Sequence, residues 1–203
     1  MGRMETLDRI EHSGVVAVLR GVDEDEIVPV ARAIHEGGVT ALEITADATR
    51  CSEMIAAVDR ELDGTDAIIG AGTVMDAAAA RNVIEAGAEF VFAPNLNESV
   101  IEVCNRADVV STPGVMTPTE ADRAMAAGAD ALKMFPASTV GAGHIGALQG
   151  PLGDLQVQSR PVHPDEEVVE TDGVLSWGGR RPALDVERVE DGRSGSFGDQ
   201  NLD

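Results

Sequence analysis

Residues 85–95 read Glu-Ala-Gly-Ala-Glu-Phe-Val-Phe-Ala-Pro-Asn. Gly87 closes a helical stretch, and its freedom to adopt a left-handed conformation suits a helix C-cap. Phe90-Val91-Phe92-Ala93 is an apolar run too short for a helix. Its aromatic and β-branched content fits a strand buried on both faces, as in a parallel sheet. Pro94 and Asn95 then end the run. The same phrase recurs on either side, as Glu36-Gly37-Gly38-Val39 and as Ala126-Ala127-Gly128-Ala129. A helix, a glycine cap and a buried strand, repeated along one chain, are the mark of successive βα units.

Working outward, Gly14 to Arg20 reads as a first strand and Thr40 to Thr45 as a second. Ala67 to Val74 gives a third, with a glycine-rich end, Phe90 to Asn95 a fourth, Asp108 to Gly114 a fifth and Ala131 to Phe135 a sixth. Helical spacing fills the intervals. Ile27, Val30, Ala31 and Ile34 share one face within residues 23–37, and Met54, Ile55, Val58 and Leu62 share another within residues 51–62. Asp76 is placed to cap the helix that runs to Ala86. Thr117 and Pro118 open a helix to Ala127. Six units without a reversal predict an α/β protein of the (β/α)8 barrel type, with a doubly wound open sheet as the alternative. No Gly-x-Gly-x-x-Gly opens a helix after the first strand, so the dinucleotide-binding version lacks its motif.

Composition narrows the function. The chain has 203 residues, a net charge of −21 and only 2% aromatic residues. Such a charge opposes nucleic acid and anionic membranes as partners. Nothing approaches the length of a transmembrane span. Cys51 and Cys104, with no signal-type N-terminus, read as reduced thiols of a cytoplasmic protein. The carboxylates are dispersed, and all but one of the 15 basic residues are arginine. That pattern fits a surface adapted to high salt. His12, His35, His144 and His163 form no ligand spacing, so neither a metal nor a cofactor is expected, and activity is expected to survive chelation.

Chemistry in a barrel lies at the C-terminal ends of its strands. Those ends here carry Arg20, Glu43, Thr73, Pro94 with Asn95, Thr112 with Pro113, and Lys133 with Phe135. Lys133 is the only lysine of the chain and lies in an apolar run. One reading is a strand-end lysine whose ammonium reaches water. The other is a buried amine that attacks a carbonyl. Glu43 interrupts Leu-Glu-Ile, where an apolar residue is expected. It either pairs with Arg20 or moves protons opposite the lysine. Alternate strands share layers inside a barrel, so the second and sixth strands place Glu43 and Lys133 face to face. An amine nucleophile, a carboxylate and an arginine for a substrate carboxylate form a set suited to a class I aldolase.

Gly14–Arg20, Leu42-Glu43-Ile44-Thr45, Gly70-Ala71-Gly72-Thr73-Val74, Ala93-Pro94-Asn95, Pro113-Gly114 and Leu132-Lys133-Met134-Phe135-Pro136-Ala137 stand in order. Together they resemble the 2-keto-3-deoxy-6-phosphogluconate aldolase family, which includes the 6-phosphogalactonate and 4-hydroxy-2-oxoglutarate aldolases. The resemblance implies a homotrimeric (β/α)8 barrel without a metal, a Lys133 imine with the keto acid, and Glu43 as proton shuttle. It also implies that Arg20 and Thr73 hold the pyruvate carboxylate and nearby oxygens, and that Pro94 and Phe135 shape the pocket wall. The reaction implied is the Entner–Doudoroff-type cleavage of a 2-keto-3-deoxy-6-phospho sugar acid to pyruvate and glyceraldehyde 3-phosphate. Asp47 stands four residues after Glu43, where the gluconate branch often has arginine, so the sugar stereochemistry stays open.

The resemblance runs to about Gly153, which divides the chain into a barrel portion, residues 1–153, and an acidic tail, residues 154–203. Family members continue into a seventh strand ending in Pro-Thr-Gly-Gly and an eighth ending in Gly-Ser. This chain reads Leu155-Gln156-Val157-Gln158-Ser159-Arg160-Pro161-Val162 instead, and only Val174 to Gly179 offers a further candidate strand. The expectation is a frameshifted or truncated ending, with strands seven and eight missing, an open seam at the barrel edge, and a disordered tail. On that expectation the chain is an aldolase of these sugar acids, an inactive, binding-only remnant of one, or a 4-hydroxy-2-oxoglutarate aldolase.

Overall fold

The structure is a computed structural model and describes residues 2–47, 49–140, 142–149 and 174–176. Helices α1 (Arg3–Ser13), α2 (Ile27–Glu36), α3 (Cys51–Glu61), α4 (Ala77–Glu85), α5 (Glu98–Ala107) and α6 (Pro118–Ala126) alternate with strands. The strands are β1 (Val15–Leu19), β2 (Ala41–Thr45), β3 (Ile68–Gly72), β4 (Phe90–Phe92), β5 (Val110–Thr112), β6 (Gly114–Val115) and β7 (Lys133–Met134). Two short helices, α7 (Ala137–Val140) and α8 (Ala142–Gln149), follow, and β8 (Val174–Ser176) comes last.

The helix boundaries have local causes. Asp76 accepts from the backbone N–H groups of Ala78 and Ala79 at 2.8 and 2.9 Å, the cap expected of it. Thr117 and Glu120 form a reciprocal capping box with Pro118 at the first helical position. The repeated glycines do what their phrase predicts: Gly38, Gly87 and Gly128 have φ of 94°, 111° and 89°. At Gly128 a β carbon would also lie 2.7 Å from the Asn105 side chain, so two demands coincide there.

Strands β1 to β5 run parallel in sequential order. Val18, Glu43, Gly70, Phe90 and Val110 form one row across them. Pro113, which has no N–H to give a ladder, separates β5 from β6 where the sequence reads as one strand. Its carbonyl still accepts from Lys133 N at 2.9 Å, and β6 pairs in parallel with β7. The sheet therefore turns the corner without losing its direction.

Side chains alternate between two cores. Leu42, Ile44, Ile69, Ala71 and Val91 point outward to Ile27, Ile55, Val58, Ala80 and other helix residues. Val16, Ala41, Ile68, Phe90, Val110 and Ala131 point inward. Leu7 and Ile10 of α1 join this inner cluster, so α1 plugs one end of the interior. This is the architecture of a (β/α)8 barrel over its first six βα units.

The far edge differs from expectation. Among the described residues no parallel strand follows β7. β1 is not left unpaired, however: β8 lies against it in antiparallel register, Val15 opposite Ser176 and Ala17 opposite Val174. A barrel of this type closes with a parallel strand at that edge. The expectations for residues 154–173 and 177–203, including the altered motif around Gln158 and the disordered tail, lie outside the described residues.

Candidate active site

Glu43 is built into the barrel by glycine. It is 2% exposed in the middle of β2, on the inner face two residues beyond Ala41. A β carbon on Gly72, in neighbouring β3, would fall 1.5 Å from Glu43 Oε1. A β carbon on Gly70 would fall 2.4 Å from the Phe90 ring. The Gly70-Ala71-Gly72 end of β3 thus makes room for one carboxylate and one aromatic ring. Burial pushes the Glu43 carboxyl above the ordinary carboxylate range, while the positive charges of Lys133 and Arg20 pull it back. Its Oε2 has no hydrogen-bond partner among the described residues.

Lys133 begins β7 two residues after inward-facing Ala131, so it shares the interior face. Its Nζ lies 6.0 Å from the centroid of the Phe92 ring and 5.3 Å from that of Phe135. It is half-buried. The lysine side chain thus lies between a buried ring, Phe92, and an exposed one, Phe135. No carboxylate lies within ion-pair distance of it among the described residues.

Arg20 follows β1 directly and donates to Thr73 Oγ1 at 2.9 Å. Its other terminal nitrogen is 4.0 Å from Asp47 Oδ2. Pairing of Arg20 with Glu43, one of the two roles open to that carboxylate, is not what the structure adopts; Arg20 reaches it only through its field. Thr73 sits at φ 59°, a left-handed conformation that turns the chain sharply at the end of β3 and aims the hydroxyl at Arg20. Pro94 is half-buried just past β4, and Phe135 is exposed just past β7. Arg50, three residues beyond Asp47, is held by Glu24 at 2.6 Å and Glu53 at 3.4 Å.

The arrangement brings Lys133, Glu43, Arg20 and Thr73 to one end of one interior, with Phe92 and Phe135 flanking the amine. A nucleophilic amine, a carboxylate of raised proton affinity and an arginine–hydroxyl pair can together hold and cleave a keto acid. Sequence reasoning missed Phe92 beside the lysine, although its place in an alternating strand could have been read from Phe90. It also missed Gly72 as a clearance, which only a neighbour in space reveals. Among the described residues no three His, Cys, Asp or Glu side chains converge as a metal site. His35 bonds Asp66 and His144 bonds the Met116 carbonyl.

Residues 7–169 match the family described as KDPG and KHG aldolase. A probable 2-dehydro-3-deoxy-6-phosphogalactonate aldolase of Rhizobium meliloti is 37% identical over 144 residues, covering 70% of this chain and 68% of its own. A 2-dehydro-3-deoxy-phosphogluconate aldolase of Treponema pallidum is 36% identical over 68% of this chain and 63% of its own. This chain thus spans about two thirds of the length of these curated relatives. Among solved structures, a native KDPGal structure aligns with TM-score 0.64 at 34% identity over 68% of this chain and 66% of that one. The 2-keto-3-deoxy-6-phosphogluconate aldolase of Zymomonas mobilis with 3-phosphoglycerate aligns with TM-score 0.68 at 26% identity over 76% and 72%.

Proposed function

The chain belongs to the KDPG and KHG aldolase family, and on that premise we propose that it is a class I aldolase, a carbon–carbon lyase. It cleaves a 2-keto-3-deoxy-6-phospho sugar acid, gluconate or galactonate in configuration, to pyruvate and glyceraldehyde 3-phosphate. The observation that carries this reading is the placement of the only lysine and a buried carboxylate, Glu43, on the inner face of one barrel.

Lys133 Nζ attacks the keto carbon, and loss of water gives an iminium. That cation sits one atom from the carbon–carbon bond to be broken. Glu43 takes the proton of the hydroxyl two carbons beyond the iminium carbon. The electron pair of the breaking bond moves into the iminium, and the aldehyde leaves. The enamine that remains takes a proton back from Glu43, and water releases pyruvate and the lysine. A carboxyl whose proton affinity burial raises can both take and return a proton in this transfer. Arg20 and Thr73 receive the keto acid's carboxylate, and Pro94 and Phe135 wall the site. The mechanism asks no metal or organic cofactor for an electron sink, because the iminium is one. A homotrimer in the cytoplasm is the state we assign to a complete barrel, with no nucleic acid and no membrane as partner. Residues 1–153 carry the site, and residues 154–203 are a tail that contributes none of its named residues.

A second reading has its own support. The antiparallel β8 on the β1 edge, in place of a parallel closing strand, fits a remnant that binds keto acids without cleaving them. Incubation with pyruvate and borohydride tests both. The aldolase reading requires a reduced pyruvate adduct on the peptide that contains Lys133, absent in Lys133→Arg, together with cleavage of the sugar acid. Adduct without cleavage would favour the remnant, and cleavage without adduct would overturn the imine chemistry.

A further inference from the structure

Glu43 is not the only buried side chain of β2 with an oxygen that lacks a partner among the described residues. Thr45 lies two residues on in the same strand, is fully buried at 0% exposure, and its Oγ1 has no hydrogen-bond partner among the described residues. Residues i and i+2 of a strand face the same side and stand roughly 6.6 Å apart at Cα. Ile44 between them belongs to the outer, helix-facing cluster, and Ala41 belongs to the inner one. Glu43 and Thr45 therefore both look into the barrel. Both also abut Gly72: Thr45 is its register partner across β2 and β3, and Glu43 Oε1 occupies the space its missing side chain leaves.

Two orphaned oxygens on one face are a costly arrangement. A buried polar group without a partner loses about 1–3 kcal/mol. One water between them would relieve both at once, since buried waters typically make about three hydrogen bonds and need polar partners on more than one side. A carboxylate only accepts, whereas a hydroxyl both donates and accepts. A water donating to Glu43 Oε2 while Thr45 Oγ1 fixes its orientation completes the set.

We propose that Thr45 is a positioning residue for proton transfer: its hydroxyl holds the water through which Glu43 exchanges with solvent the proton it takes from the substrate carbon. This presupposes the Lys133 imine chemistry proposed above. Once pyruvate has formed its iminium at Lys133, Glu43 removes a methyl proton to give the enamine. The electron pair of that C–H bond enters the iminium. The proton on Glu43 passes to the bound water and is replaced from solvent. Return of a solvent proton to the methyl carbon regenerates the iminium, with no net redox change.

Pyruvate alone reports on this step, because its methyl protons exchange for deuterium in heavy water only through the enamine. The test pairs methyl exchange, followed by proton NMR, with borohydride labelling of Lys133, on the wild type, Thr45→Val and Thr45→Ser. Valine keeps the shape and removes the hydroxyl; serine keeps the hydroxyl. The expectation is full labelling in all three, exchange slowed at least about tenfold in Thr45→Val, and exchange restored in Thr45→Ser. Wild-type exchange in Thr45→Val overturns the proposal. So does equally slow exchange in Thr45→Ser, which would trace the effect to packing, or loss of label in Thr45→Val alone, which would trace it to imine formation. An unlabelled wild type would instead remove the Lys133 reading on which the proposal stands.

Discussion

A β carbon on Gly72 would lie 1.5 Å from Oε1 of Glu43 and 2.3 Å from its carboxyl carbon. The carboxylate reaches into the barrel because its neighbour in the sheet has no side chain. Glu43 cannot simply swing aside, since it is buried and Gly70 beside it is already filled by the Phe90 ring. Gly72→Ala is therefore expected to displace Glu43 and to cost at least about 1–3 kcal/mol, the usual penalty for overpacking a core. Turnover should fall by at least about a hundredfold, the low end of what proton transfer by a positioned group supplies. Steady-state kinetics and a thermal melt of Gly72→Ala check both; wild-type turnover would mean that Glu43 need not hold this position.

The buried carboxyl also links activity to stability. Its folded proton affinity is raised above the unfolded value by burial, so between those two values the folded state holds a proton that the unfolded state has released. Stability from this group is thus fully present below the ordinary carboxylate range and declines as pH rises towards the folded value. Glu43→Gln removes that decline. The variant is expected to melt higher than the wild type at neutral pH, with the gap closing on acidification towards pH 4.5, the ordinary value for the group. Its turnover should nonetheless drop about 10²–10⁴-fold. Melting curves of both proteins across pH would refute this if the gap were constant.

The repeated glycine caps, the six strand positions and the inward-facing placement of Glu43 and Lys133 were legible because each rests on local pattern. A period of two puts Ala41 and Glu43, or Ala131 and Lys133, on one face whatever surrounds them. Helix α1 was not legible, because only Leu7, Ile10 and Thr6 are buried on it and its Gly2 cap offers no side chain. It is held by the barrel end it plugs, and by Arg3, which pairs with Asp130 at 3.0 Å. The break at Pro113 was visible as a proline but not as a division of one strand, since the missing N–H matters only once β7 is its neighbour. Glu43 left two roles open for the same reason: only the structure shows that Thr73 and Asp47 are the groups Arg20 contacts. Thr45 reads in sequence as an ordinary strand threonine; that its hydroxyl has no partner among the described residues is a fact of the fold.

The surface carries an excess of acid that its ion pairs do not neutralise. Arg50–Glu24, Arg106–Glu102 and Arg123–Glu98 are exposed pairs, each worth about 0–1 kcal/mol. Against them stand 36 acidic and 15 basic residues in the whole chain. At molar salt the screening length falls to about 3 Å, which removes repulsion between distant carboxylates more than attraction within close pairs. The melting temperature is expected to rise between dilute buffer and molar KCl. A midpoint unchanged across that range would dispose of the high-salt reading of this composition.

Arg20 connects three groups whose contributions separate kinetically. Its guanidinium donates to Thr73 at 2.9 Å and faces Asp47 at 4.0 Å, both near the mouth of the site. The Asp47 contact is long and exposed, so it offsets only part of the positive charge. The keto acid's carboxylate completes the pairing when it binds, and a hydrogen bond to a charged group is worth about 1.5–3 kcal/mol. Arg20→Ala should therefore raise KM by roughly 10- to 150-fold, since each 1.4 kcal/mol is a factor of ten. Thr73→Ala should raise it less, because the arginine remains while its orientation loosens. Asp47→Asn should lower KM at low salt, where an anion beside the guanidinium repels the substrate, and should have little effect in molar KCl. None of these three changes touches Lys133, so borohydride labelling at saturating pyruvate should persist in each. An Arg20→Ala enzyme with wild-type KM would take the arginine out of the binding site.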